Sequence, residues 1–270
     1  MNRILHFLIY SNILVSFCVM SLALSSELIL QTKNPDLSVF LFFSTLFVYN
    51  FQRTIRIQNG INHIRKEWLG KHQKLILFLM GISLIICLKI FLAFKLLTQI
   101  VILIIGFISL AYPILLRKIP FLKIFIISLI WASSTTLLLA TENNVLLSLD
   151  FTSHFVSRFL FVFAITIPFD IRDLRYDNEV IITLPLFFGL KTSKIIAITS
   201  LIFCGLINFF QYVKSGLMLP YFIALIILYF FSSSIIIKSN ERKSDIFFSF
   251  WVESLSIISY VLIIFMLLIF

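Results

Sequence analysis

Pro168-Phe169-Asp170-Ile171-Arg172-Asp173-Leu174-Arg175-Tyr176-Asp177-Asn178-Glu179 is a charged stretch in a chain that is otherwise mostly hydrocarbon. Of the twelve acidic residues in 270, Asp170, Asp173, Asp177 and Glu179 fall within ten positions. On a helix, spacings of i, i+3 and i+7 place the three aspartates on one face. Three carboxylates on one face repel one another unless something cationic lies between them. A hard divalent ion such as Mg²⁺ takes oxygen ligands of this kind and completes its shell with water and phosphate. The plainer alternative is a solvated loop between membrane helices, with Arg172 and Arg175 neutralising the acids locally.

The surroundings of this stretch set the fold class. The chain is 60% hydrophobic and 13% charged, with a mean hydropathy of +1.08. An ordinary soluble domain carries about a quarter charged residues, so that class is excluded. Apolar runs long enough to cross a bilayer recur along the sequence, and the ten-residue alternation of a membrane barrel is absent. The expectation is an all-α, polytopic helical bundle forming a single integral-membrane domain over 1–270. Nine spans are predicted, near 4–24, 37–52, 75–93, 96–116, 121–140, 154–169, 194–212, 217–237 and 246–269. Asn2-Arg3 and Ala23-Leu24-Ser25 resemble parts of a signal peptide, but the first run exceeds a usual signal core and reads as a retained helix.

Charge placement predicts the orientation. With the N-terminus inside, 17 of the 22 Lys and Arg residues lie on cytoplasmic segments, and only Lys33, Lys89, Lys95, Arg158 and Lys214 do not. That is a positive-inside distribution. It puts the acidic stretch at the cytoplasmic face of a cell (inner) membrane and the C-terminus outside. The net charge of +10 is thereby explained by topology and anionic lipid, without nucleic acid. Cys18, Cys87 and Cys204 lie in apolar runs and form no C-x-x-C, so neither a zinc site nor a disulfide framework is indicated. His154 and Arg158 read as interface residues at the start of a far-side helix. Ser133-Ser134-Thr135-Thr136 could line a polar cavity or let helices pack closely.

Two long loops, near 53–74 and 170–193, follow the second helix of successive four-helix blocks, with Asn50 and Asp170 120 residues apart. The motif Asp170-x-x-Asp173-x-x-x-Asp177 is followed by Thr183-Leu184-Pro185 and Gly189-Leu190-Lys191. Upstream, Ala111-Tyr112-Pro113 runs into Leu116-Arg117-Lys118-Ile119-Pro120. Together these resemble the UbiA superfamily of intramembrane prenyltransferases, by topology over the whole chain and by sequence over 164–191.

The resemblance implies that Asp170, Asp173 and Asp177 hold Mg²⁺, which grips a prenyl diphosphate. Tyr112, Arg117 and Lys118 match a region near that diphosphate; an interfacial anchor and topology charges account for them equally well. The resemblance also implies a lipophilic, membrane-soluble, aromatic acceptor. The family's first motif is Asn-Asp-x-x-Asp-x-x-x-Asp. Here the segment reads Asn50-Phe51-Gln52-Arg53-Thr54-Ile55-Arg56-Ile57-Gln58, so Asn50 remains and the acids are replaced by Phe51, Thr54 and Gln58. Either Arg53 and Arg56 contact phosphate directly, as guanidinium suits, with Asn50 positioning it and Lys191 adding a contact, or prenyl transfer has been lost. A non-catalytic UbiA-fold protein that binds a polyprenyl lipid or scaffolds partners is therefore the alternative. A small transporter lacks a midplane charge pair or broken-helix pair to support it.

Overall fold

The computed structural model describes residues 3–58, 66–112, 119–146, 148–174, 182–214 and 216–270, with only the backbone of 56–58. Among the described residues every regular element is helical: α1 (Arg3–Tyr10), α2 (Ile13–Ile29), α3 (Pro35–Gln58), α4 (Lys66–Lys71), α5 (Gln73–Phe91), α6 (Leu96–Ala111), α7 (Leu122–Asn143), α8 (Leu149–Asp173), α9 (Leu184–Lys214), α10 (Leu219–Lys238) and α11 (Phe247–Ile269). Short π segments at Ser133–Leu137 and Phe247–Val252 interrupt α7 and α11.

The long helices pack in a ring. Helix α2 packs on α3, α3 on α5 and α6, α6 on α7, α7 on α8, and α8 on α9; α9, α10 and α11 follow, and α11 closes the ring against α2. Burial distinguishes centre from rim. In the most apolar window of α8, 72% lies inside the protein, against 11% for α5. Helix α5 is apolar on all sides, yet only Ile76 and Ser83 are buried, as suits a helix facing lipid. Pro168 sits inside α8. A membrane helix tolerates it where neighbouring helices re-satisfy the backbone.

Each predicted span has a helix, but the count of nine is not reproduced by length and composition. Among the described residues six helices are long and apolar enough to cross a membrane, and seven if α1 and α2 form one bent span. The two are inclined at 70°. Helix α6, with 16 residues, is shorter than a full span, and α3 mixes its apolar run with Asn50, Gln52, Arg53 and Arg56.

The predicted long loops also shrink. Helix α3 continues to Gln58, α4 lies within the first loop, and α9 starts at Leu184. What allows α9 to start so early is Gly189, at φ 80° and ψ 164°, a conformation essentially restricted to glycine. It bends the helix, and Ser193 Oγ donates to the Gly189 carbonyl at 2.9 Å. The arm before the bend exposes Leu186, Phe187 and Phe188. Among the described residues, no atom beyond its chain neighbours and its own helix backbone lies within 4 Å of where a Gly189 Cβ would sit, so substitution costs backbone strain without a clash. Gly189→Ala should destabilise the protein by about 1–3 kcal/mol, read as a lower melting temperature in detergent; an unchanged melting temperature would show that the bend is not held.

Among the described residues, backbone and side-chain hydrogen bonds tie neighbouring helix ends together at each face of the bundle. Three contacts tie one face together. The Phe121 N–H donates to the Ile182 carbonyl at 3.0 Å, Lys194 Nζ to the Ile237 carbonyl at 2.9 Å, and Gln52 Nε2 to the Ser109 carbonyl at 2.8 Å. The opposite face is tied by the Lys95 N–H to Glu142 Oε2 at 3.1 Å and by Gln211 Nε2 to the Asp150 carbonyl at 3.1 Å.

Candidate functional site at the charged mouth of the bundle

Asp170 and Asp173 occupy the last turns of α8, on one face of the helix as their spacing predicts. Asp170 is 1% exposed. Facing them is Lys123, the second residue of α7. Phe121 precedes it with φ 60°, and its backbone bond to Ile182 fixes the entry into α7. Lys123 Nζ lies 2.7 Å from Asp170 Oδ1 and 2.9 Å from Asp173 Oδ2. The ammonium is buried between them, its side chain 10% exposed.

The other oxygen of Asp173 is also paired. Arg172 donates to Asp173 Oδ1 from Nε at 2.9 Å and from its Nη2 at 2.8 Å. The remaining terminal nitrogen of Arg172 reaches Asp245 Oδ1 at 3.2 Å, linking α8 to the segment before α11. The guanidinium lies 5.3 Å from the ring centre of Phe169 and 6.0 Å from that of Phe248, within range of cation–π attraction. Among the described residues, two cations and three carboxylates thus form one cluster, with Lys123 and Asp170 buried and Arg172, Asp173 and Asp245 partly buried. Asp177, Arg117 and Lys118 lie outside the described residues, as does the Arg56 side chain.

The family resemblance implies Mg²⁺ at the motif Asp170-x-x-Asp173-x-x-x-Asp177, the second of the family's two aspartate motifs. Mg²⁺ demands near-octahedral oxygen ligands at about 2.0–2.1 Å. Lys123 and Arg172 already engage three of the four oxygens of Asp170 and Asp173. An ion bridging the pair would meet the Lys123 ammonium at the same place. As arranged, these carboxylates fit a side-chain cation and do not fit a divalent ion beside it.

Asn50 is fully buried, 0% exposed. It accepts from Asn12 Nδ2 at 2.8 Å and donates to the Ser11 and Leu46 carbonyls at 3.0 and 2.8 Å. The amide is consumed in joining α3 to the break between α1 and α2, where Asn12 has φ 64°. Arg53 lies on the next turn of α3. It and Glu253 of α11 are within electrostatic reach of Tyr49, whose hydroxyl accepts from Trp131 Nε1 at 3.1 Å. Thr54 hydrogen-bonds back to the Asn50 carbonyl at 2.9 Å. Tyr112 ends α6, and Lys191 is exposed just beyond the Gly189 bend. The structure therefore brings Asp170 and Asp173 together, and spends Asn50 on packing.

Reasoning from sequence read Lys123 as a topology charge and missed its role between the two aspartates, along with Asp245. It also placed His154 and Arg158 at an interface. Both are buried, 3% and 4% exposed, because α8 starts at Leu149 and carries them about one and a half and two and a half turns inside. Arg158 donates to Ser25 Oγ at 2.8 Å and Ser26 Oγ at 3.1 Å, and His154 Nε2 lies 3.0 Å from Ser26 Oγ. With Ser157 and Tyr229 they line a cavity of about 10 Å³, room for roughly one water. In the Ser133–Thr136 run, Thr135 and Thr136 donate to carbonyls of their own helix, both at 2.7 Å, so these hydroxyls serve helix packing.

A ring of apolar helices with a partly buried ionic cluster at one mouth defines a multi-pass membrane protein. The chain belongs to the UbiA prenyltransferase family, whose sequence profile matches residues 71–255. That match includes Lys123, Asp170, Asp173 and Asp245, and begins after the Asn50–Gln58 segment. The fold is similar to that of a UbiA homolog from Aeropyrum pernix K1 in its apo form, with TM-score 0.67, 11% identity and coverage of 100% of this chain and 99% of that one. It is also similar to a structure from work on digeranylgeranylglyceryl phosphate synthase in membranes, with TM-score 0.61, 18% identity and 98% coverage of each chain. No curated protein sequence matches the chain.

Proposed function

We propose that the chain, acting as one domain over 1–270, binds a prenyl diphosphate at the charged mouth and transfers its isoprenoid to a lipophilic, aromatic acceptor held in the membrane. Family membership supports the reaction class. The observation that carries the site is the ion-pair cluster of Lys123, Arg172, Asp170 and Asp173, with Lys123 and Asp170 buried, at the Asp170-x-x-Asp173 motif. The mouth faces the cytoplasm of a cell membrane on this reading, in keeping with the distribution of Lys and Arg.

The chemistry needs two things of the protein. Heterolysis of the allylic C–O bond leaves its electron pair on the diphosphate, whose added charge fixed cations stabilise. Lys123, Arg172, Arg53 and Lys191, with Arg56, Tyr112, Arg117 and Lys118 nearby in sequence, are the groups assigned to that task. Asn50 acts indirectly, by holding α3 and so placing Arg53. The allylic cation needs protection from water, which an apolar bundle gives, and aromatic faces such as Tyr49 and Trp131 favour positive charge. The acceptor's electron pair then forms the new bond to the allylic carbon, and the acceptor loses a proton. Mg²⁺ and Asp177 belong to the family reading of this site; Mg²⁺ would reach Asp170 and Asp173 only by displacing Lys123.

The test is binding of farnesyl diphosphate to purified protein in detergent, followed by assay of released diphosphate when an aromatic acceptor is added. Asp173→Ala removes the group that orients both Lys123 and Arg172, so binding should weaken by roughly tenfold or more, about 1.4 kcal/mol or above. Wild-type binding in that variant would dismiss the site. A second reading is favoured by Phe51, Thr54 and Gln58 standing where the first motif carries acids: a non-catalytic protein that keeps polyprenyl binding or scaffolds partners. Tight binding without release for any acceptor supports that second reading.

A further inference from the structure

We infer that Lys123 is the protein's own replacement for a divalent cation at the second aspartate motif. Resting on the proposed diphosphate reading, this means that the site recognises a prenyl diphosphate without Mg²⁺. The carboxylates are where the family pattern puts them, yet the cations that face them, Lys123 and Arg172, come from within the chain. Lys123 Nζ bridges Asp170 and Asp173 at 2.7 and 2.9 Å, the position an ion shared by the two aspartates would take. Arg172 closes the other oxygen of Asp173 and ties it to Asp245.

Three features show that this arrangement is built. The Lys123 side chain is only 10% exposed, although lysine is rarely buried unless paired. The start of its helix is fixed two residues earlier by the bond from the Phe121 N–H to the Ile182 carbonyl, at a residue with left-handed φ. Arg172 is held by a carboxylate on each side and by two aromatic rings. A loosely held surface lysine would have none of these supports. The inference also accounts for the first motif. With its acids gone, Asn50–Gln58 cannot form the family's other metal site, and a chain that carries its cations as side chains no longer needs one.

Two measurements on full-length protein in detergent test this. The first is a Mn²⁺ titration followed by electron paramagnetic resonance, with Mn²⁺ standing in for Mg²⁺. Wild type and Lys123→Arg should show no uptake that depends on Asp173, whereas Lys123→Met, which keeps the apolar stem and removes the charge, should gain one ion. Asp173-dependent uptake in wild type, or none in a folded Lys123→Met, overturns the inference. The second is farnesyl diphosphate binding with EDTA or with Mg²⁺. Wild type should bind alike in both. Lys123→Met should weaken about tenfold in EDTA and recover with Mg²⁺. Strict Mg²⁺ dependence in wild type overturns the inference. If neither protein binds the diphosphate under any condition, the proposed function falls, and the Mn²⁺ titration by itself decides the place of Lys123. Should Lys123→Met fail to fold, the wild-type and Lys123→Arg titrations still decide it.

Discussion

Asp170→Ala should cost about 3 kcal/mol of stability, a fall of roughly 5–10 °C in melting temperature in detergent. The reason is the residue left behind. Lys123 and Asp170 form a buried pair at 2.7 Å, with side chains 10% and 2% exposed. Removing one partner of such a pair strands the other charge in a poorly solvated place, which typically costs 3–5 kcal/mol. Asp173 at 2.9 Å still faces the ammonium, so the lower end of that range applies. The pair can be isolated by a double-mutant cycle. Lys123→Met in the Asp170→Ala background removes the stranded charge, so the double variant should be more stable than the summed single effects predict, by about 1–3 kcal/mol. Strict additivity would mean that the two side chains are not coupled.

Asn50→Ala should cost about 2–4 kcal/mol through a different mechanism. Its amide makes three buried hydrogen bonds, two of them to the Ser11–Asn12 break between α1 and α2. Truncation leaves the Ser11 carbonyl and Asn12 Nδ2 buried without that partner, and each orphan costs about 1–3 kcal/mol. Asn50→Asp should also destabilise, since a carboxylate can accept from Asn12 but cannot donate to the Ser11 carbonyl. The loss should be local first. Hydrogen exchange of residues 7–16 should speed up in Asn50→Ala before that of α8. Uniform acceleration across the chain would argue that the break is not held by Asn50.

These two sites differ in how far the sequence disclosed them. Asn50 was visible as the one retained residue of the first motif, and its family role suggested phosphate. Its contacts instead run 38 and 39 residues back along the chain, to a helix break that no periodicity signals, because Asn12 lies inside a continuous apolar run. Asp170 and Asp173 were visible by spacing, which a helix converts directly into a shared face. Lys123 was hidden among other basic residues. Their common explanation is topology, and nothing local separates Lys123, which turns inward, from the other basic residues. Helix edges were displaced for a similar reason. Ser148 caps α8 by accepting from the Phe151 N–H at 3.0 Å, and so extends the helix across polar Asp150 and Thr152, beyond the apolar run.

Hydropathy is a property of a short window, so the sequence by itself determined an all-helical membrane protein, the approximate place of each long helix, and the aspartate face on α8. Ion pairing depends on where helices meet in space. Only the tertiary structure decided that Lys123, 47 and 50 residues before the two aspartates, stands between them, and that Arg158 is buried against Ser25 and Ser26. In a medium of low dielectric a buried charge must find its partner across the fold, and the bundle's packing, which the order of residues does not display, sets which partner that is.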